Sequence, residues 1–409
     1  MFYVPISLFC TLLLCFHLAF FFSSTTTNTY LPSLCSPISK TNTTTATKYP
    51  SSKPKTPPPQ EPNATTKYPS SKPKTPPPQE PKYEEEEEVV EEEDDEEEDE
   101  ALFRLASLTN PNPTTPKKIA FMFLTTTPLP LSPLWELFFQ PPNQTQTLYN
   151  IYIHADPSRP YEPPFSGVFS GRVIPSKPTS RADPSLISAA RRLLSRALLH
   201  DPSNAMFVLL SPSCIPIRSF PFIYKTLANC STKSFIEILS NEPTLRSRYD
   251  ARGLGTMLPE VRFDSFRVGS QFFVLSRKHA RLVVSDTRLW PKFKLPCESV
   301  YTCYAEEHYF STLLNMEMEV GDGTCVPATL THVDWSWSGG KYGHPRTYRP
   351  EQVGPGLIRG FRSAMPRYGD AGAGNWSSSE DYPFLFARKF SPTCLEPLMR
   401  IASDVIFRD

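Results

Sequence analysis

The sequence predicts an α/β domain with a sheet flanked by helices, preceded by a long segment that builds no core. Three observations carry this. From residue 117 onward the pattern reads strand, strand, helix, strand, helix, strand, the alternation that covers a parallel-rich sheet with helices. The first strand, Lys118–Thr125 (K-I-A-F-M-F-L-T), is apolar almost throughout, as a strand buried on both faces must be. The first ~100 of the 409 residues are an apolar run, a Pro/Thr-rich stretch and an acid run. That leaves about 300 residues for one large domain or two fused halves.

Taken in order, residues 1–22 are nearly all apolar and hold no Lys, Arg, Asp or Glu. Their length spans a bilayer. A cleaved signal peptide is the competing reading, but no basic stretch precedes the run and the run is long. An uncleaved anchor over 1–23 is therefore expected. Flanking charge does not orient it. The sequons at Asn143, Asn229 and Asn375 are compatible with a luminal C-terminal side. Residues 24–110 are expected to form a disordered Pro/Thr-rich and acidic stem. Within it T-K-Y-P-S-S-K-P-K-T-P-P-P-Q-E-P occurs at 47–62 and again at 66–81. Two copies make a duplicated linker, semi-rigid through its prolines, and not a solenoid. Residues 84–100 hold 15 acidic side chains and no basic one; such a run repels itself and is expected to stay extended.

The folded domain is placed at 111–409. After Lys118–Thr125 come a strand at 149–156, a helix at 186–199 and a strand at 205–210. A helix at 220–227 and a strand at 235–239 follow. Then come a strand at 271–275, helices at 278–287 and 306–314, and a strand at 329–334. From residue 101 onward there are 34 basic and 25 acidic side chains, a net of +9. That suits an anionic ligand as well as it suits a plain solvated surface, and nothing resembles a dense nucleic-acid patch. No C-x-x-C pair occurs, which argues against a zinc ribbon or thioredoxin site. The six cysteines of the domain allow up to three disulfides, with 15 connectivities. No D-x-D, G-x-x-x-x-G-K-[ST] or G-x-S-x-G stands in the folded region.

Four groups of residues could carry chemistry. Asp156 ends a strand, where α/β sheets bind ligands; the competing reading is a turn Asp before Pro157. Glu306 and Glu307 open a helix, which suits the helix dipole without any function. Adjacent acids on a helix diverge, so one should face a cleft and serve as a base toward a hydroxyl. Trp335 and Trp337 lie two apart after a strand and share a side. Their indoles could support sugar rings or simply fill a corner. Arg359, Arg362 and Arg367 precede F-L-F-A-R-K-F at 384–390. Such cations could neutralise a departing diphosphate without a metal, or be ordinary surface charge.

In sequence, Y-I-H-A-D (152–156), A-R-R-L-L-S-R-A-L (190–198), L-L-S-P-S-C-I-P (209–216) and F-R-V-G-S-Q-F-F-V-L-S-R (266–277) are followed by A-E-E-H-Y-F-S-T-L-L (305–314), V-D-W-S-W (333–337) and L-F-A-R-K-F (385–390). This set resembles the core-2/I-branching β-1,6-N-acetylglucosaminyltransferase family, especially its plant members, over residues 117–395. The resemblance implies a GT-A type fold, type II topology in the Golgi, and inversion at the anomeric carbon without a bound metal or other cofactor. It implies Glu307 as catalytic base and Lys389 as a diphosphate contact, with Arg359 or Arg362 as its partner. It places the nucleotide contact at Asp156 and the acceptor-side aromatics at Trp335 and Trp337. The implied partners are a UDP-sugar, a glycan or glycoprotein acceptor and the membrane.

In that scheme Glu307 deprotonates an acceptor hydroxyl as the oxygen attacks from the face opposite UDP. Lys389 and an Arg stabilise the leaving diphosphate; removing them should cost about two to three orders of magnitude in rate. Departures stand where plant members carry a Trp-Gly pair (here Arg181-Ala182), an acid within the long helix (Ala190) and a cysteine near the second arginine (364–367). UDP-glucuronate or UDP-xylose is therefore a live alternative to UDP-N-acetylglucosamine. Two other classes remain: a transferase-like scaffold that binds without turnover, and a glycoside hydrolase. The hydrolase would need two carboxylates about 5–9 Å apart across the bond, which divergent helix neighbours do not supply.

Overall fold

In the computed structural model, residues 84–140, 147–317, 323–335, 345–371 and 382–409 are described, with side chains in the first helix from Glu96 onward. The chain runs α1 (Glu84–Ser107), β1 (Lys118–Thr125), α2 (Ser132–Phe139), β2 (Tyr149–Ala155), α3 (Ser185–His200), β3 (Asn204–Leu210), β4 (Ile215–Pro216) and α4 (Phe220–Asn229). Then follow β5 (Ser234–Phe235), α5 (Leu245–Tyr249), β6 (Val274–Ser276), α6 (Arg277–Ser285), α7 (Trp290–Lys294), α8 (Val300–Cys303) and α9 (Tyr309–Glu317). The last elements are β7 (Cys325–Val326), β8 (Thr331–Val333), α10 (Pro355–Ser363), β9 (Phe386–Arg388) and α11 (Leu395–Arg400).

Because β1 is apolar at every inner position, it can be buried on both sides. Its side chains alternate between two cores. Ile119, Phe121 and Phe123 enter an aromatic core with Trp135, Phe138 and Phe139 of α2. Ala120, Met122 and Leu124 meet Ile187, Ala190, Leu193 and Leu194 of α3. The Trp135 indole N–H, fully enclosed, donates to the Cys214 carbonyl at 3.1 Å and so joins α2 to the segment before β4.

The main sheet has the order β2-β1-β3-β6-β5-β7. β1, β2 and β3 are parallel, β6 is antiparallel to both β3 and β5, and β7 is parallel to β5. The sheet is thus mixed, and helices flank it. The expected strand at 271–275 forms later, at β6, and the one at 235–239 shortens to β5 plus a single bridge between Leu239 and Val268. A second sheet, β4-β9-β8, is antiparallel between β4 and β9 and parallel between β9 and β8.

The expected extended stem does not reach residue 110. α1 continues to Ser107, and its C-terminal turns dock on α3 and α6. Phe103 and Ala106 are buried, and the Arg191 guanidinium sits between the Phe103 ring at 4.2 Å and the Trp290 ring at 5.2 Å. Asp99 receives two hydrogen bonds from Arg192, while Glu96 pairs with Lys294 and Glu98 with Lys177. Self-repulsion is offset where the domain presents its own cations, a feature invisible within the acid run itself. The folded unit therefore begins before residue 111. Among the described residues no helix is long and apolar enough to cross a membrane. The expected anchor at 1–23, the duplicated repeat, Trp337, Asn143 and Asn375 lie outside the described residues. Asn229 is exposed at the end of α4.

Candidate active site

A cleft of ≈ 740 Å³ gathers residues from eight separate stretches of the chain, between Arg181 and Lys389. Its acidic wall begins at Tyr304, which takes a left-handed conformation (φ 38°) and ends α8. The Cys297–Cys303 disulfide fastens the chain just before it. The backbone then makes a 3₁₀ turn at Ala305–Glu307, and the α-helix starts only at Tyr309. The expected helix at 306–314, with its two acids on opposite faces, is corrected accordingly. Both carboxylates border the cleft.

The two acids differ in setting. Glu306 points inward and is 5% exposed; burial, with the charge of Glu307 adding to it, raises its carboxyl to about 7. Glu307 stays half-buried, and Arg248 Nη1 donates to its Oε2 at 2.9 Å. The same guanidinium lies 3.4 Å from His308 Nε2, and burial lowers that imidazole to about 3, so it is neutral. A third carboxyl, Glu237, follows β5 on the cleft wall and is raised to about 7 by burial. Gly269 makes this crowding possible. Its N–H donates to the Glu307 carbonyl at 2.8 Å, and a Cβ there would fall on the Glu237 carbonyl oxygen and Ser311 Oγ.

The basic wall comes from the second sheet and two loops. Register pairs Val333 with Arg388, so the ends of β8 and β9 carry Trp335 and Lys389 into one cleft. Burial lowers Lys389 to about 8, helped by the positive charges of Arg388 and Arg181. Arg181, Arg248, Arg367 and Arg388 line the same space. A charge arriving here meets cations already held in place, the arrangement that stabilises a developing anion.

Of the residues expected from sequence, Glu307, Lys389 and Trp335 meet in this cleft. Asp156 does not line it. Its carboxylate is fully enclosed and accepts four hydrogen bonds, from Ser158 N and Oγ (2.9 and 2.6 Å) and from Thr179 N and Oγ1 (both 3.0 Å). Burial alone would raise it, yet those donors win and hold it below its ordinary value. Asp156 thus anchors the loop that delivers Arg181. Arg362 is also turned away: it donates to the carbonyls of Ile217, Ile406 and Arg408 and staples the C-terminus. Arg359 is exposed on α10 and off the cleft wall. The local run of arginines carried no information on which of them turn inward. From the sequence, Arg181 was visible only as a departure from the Trp-Gly pair of plant members, and Arg248 stands in none of the motifs. Arg388 was visible only as a neighbour of Lys389.

A mixed α/β sheet flanked by helices, with carboxylates facing clustered cations across a cleft, fits a GT-A-like domain of a group-transfer enzyme. The comparisons narrow this. Residues 119–362 match the family model described as Core-2/I-Branching enzyme. The chain is 30% identical over 316 residues to a protein named glycosyltransferase BC10 of Oryza sativa subsp. japonica, across 69% of this chain and 75% of that relative. The chain belongs to the Core-2/I-branching enzyme family, in its plant branch, and is a glycosyltransferase.

Proposed function

We propose that the protein moves a sugar from a UDP-sugar to a hydroxyl of a glycan acceptor, with inversion and without a metal ion. The donor we favour is UDP-N-acetylglucosamine; UDP-glucuronate and UDP-xylose serve the same scheme. Glu307 takes the hydroxyl proton as the oxygen attacks the anomeric carbon, and the bond to UDP breaks on the opposite face. Lys389, with Arg388 and Arg181, offsets the negative charge left on the diphosphate. Trp335 supports the acceptor ring. The setting we propose is the Golgi lumen, with the apolar run at 1–23 as a type II anchor.

One observation carries this reading: a carboxylate held by Arg248 shares a cleft with Lys389 and three further arginines. The test is UDP release by the full chain with each of the three donors, with and without glycan acceptors, in the presence of EDTA. Acceptor-dependent release with one donor is expected, and Lys389→Ala should slow it by about 10²–10³. Loss of turnover in EDTA would remove the metal-independent step. UDP binding without turnover under any condition favours the scaffold reading.

A further inference from the structure

Beside the catalytic cleft lies a second concavity of ≈ 750 Å³. His332, Val333 and Trp335 border both, so the two spaces meet along one short ridge at the end of β8. The Trp335 indole is 51% exposed there. Beyond it, Arg346 lies 3.5 Å from the Asp334 carboxylate and stacks 5.3 Å over the Tyr348 ring. Gln352 stands further along, and the far wall is α10. That wall carries Gly356 and Gly360, one helical turn apart and so on one face. Among the described residues, a Cβ built on either would meet nothing within 4 Å. The helix face that borders the groove thus lacks two side chains.

The geometry points to a distal sugar subsite that holds the acceptor chain beyond the ring being attacked. This rests on the glycan-acceptor reading above and gives it a substrate class: an oligosaccharide or polysaccharide chain instead of a single sugar. The chemistry of the walls supports that occupant. Sugars present C–H faces to aromatic rings and hydroxyl edges to planar polar groups. Here an exposed indole leads to a carboxylate, a guanidinium and an amide. The volume is close to that of the cleft itself and lies in the range of small-ligand sites. Because His332, Val333 and Trp335 line both spaces, the groove is the cleft's immediate neighbour.

The test measures binding and turnover separately on the full chain. Galacto-, gluco- and xylo-oligosaccharides of one to six β-linked rings, and a one-ring sugar carried on a peptide, are titrated in the presence of UDP. In at least one series, affinity should rise about tenfold once the chain is long enough to enter the groove. Gly356→Trp, which fills the groove from an exposed position, should abolish that rise and leave UDP affinity and one-ring affinity unchanged. Gly360→Leu should do the same if Gly356→Trp folds poorly. Length-independent affinity in every series overturns the subsite, as does a rise that survives both variants. A rise produced by the peptide instead of added rings overturns it in favour of a protein-reading groove. If the length effect appears but no donor yields UDP release, the transfer scheme fails and the subsite stands.

Discussion

Replacing Glu307 with Gln isolates the proton-transfer step. The amide keeps the size of the carboxylate and can still accept from Arg248 across the present 2.9 Å. Donor binding and folding should therefore persist. The pair is part-exposed, with side-chain accessibilities of 21% and 29%, so losing its charge should cost less than about 1 kcal/mol of stability. What disappears is the capacity to take a proton, worth 10²–10⁴ in rate. The middle of that range is about 10³ in kcat, or about 4 kcal/mol in the barrier. The rival base is Glu306, whose carboxyl at about 7 is better matched to neutral pH but is 5% exposed. Access should decide over matching, so Glu306→Gln should lower kcat far less. The assay is steady-state UDP release at saturating donor, with UDP affinity measured in parallel. If Glu307→Gln stays within about threefold of wild type while Glu306→Gln falls by about 10³, the base is Glu306 and the reasoning from access is wrong.

Lys389 titrates at about 8 because it is buried among other cations. Its charge is lost as pH rises through that value, so KM for the UDP-sugar should climb between pH 8 and 9.5 in steady-state assays. Lys389→Arg, always charged, should flatten the climb; a flat wild-type profile would count against a diphosphate contact at this position. Glu237 and Glu306 are raised from 4.5 to about 7 by burial. The folded state then holds protons that the unfolded chain releases, so what these two groups contribute to stability should fall as pH rises from about 4.5 to 7. Buried His154 and His308, lowered to about 4 and about 3, pull the other way below pH 6.5, so the effect is read by difference: in thermal unfolding the Tm of wild type relative to Glu237→Gln should fall between pH 5 and pH 7.5. Asp99→Ala leaves Arg192 buried without its partner and should cost about 3 kcal/mol, read as a Tm lower by several degrees; Glu97→Ala, on the exposed side of α1, should not. Gly269→Ala should destabilise by about 1–3 kcal/mol through overpacking and lower kcat as well, because the displaced segments carry Glu237 and Glu307.

Periodicity and local chemistry determined much of this protein. A strand apolar at every inner position had to lie inside the sheet and not at its edge, and β1 does, between β2 and β3. Apolar residues at helical spacing after 185 had to face the sheet, and α3 buries them. The resemblance of short motifs, each contained in a few residues, brought Glu307, Lys389 and Trp335 forward, and the fold sets them in one cleft. Tertiary structure alone decided the rest, because it depends on pairing between distant segments. Which cations enter the cleft depends on Arg181, Arg248 and Arg388 arriving from three separate segments, whereas Arg362 turns instead to carbonyls near the C-terminus. Asp156 is enclosed because Thr179, 23 residues on, folds back onto it. The end of the acid run docks as helix because Arg192 and Lys294 lie opposite Asp99 and Glu96. A linear pattern records what a residue can do, while partner, burial and direction are set only when the chain closes on itself.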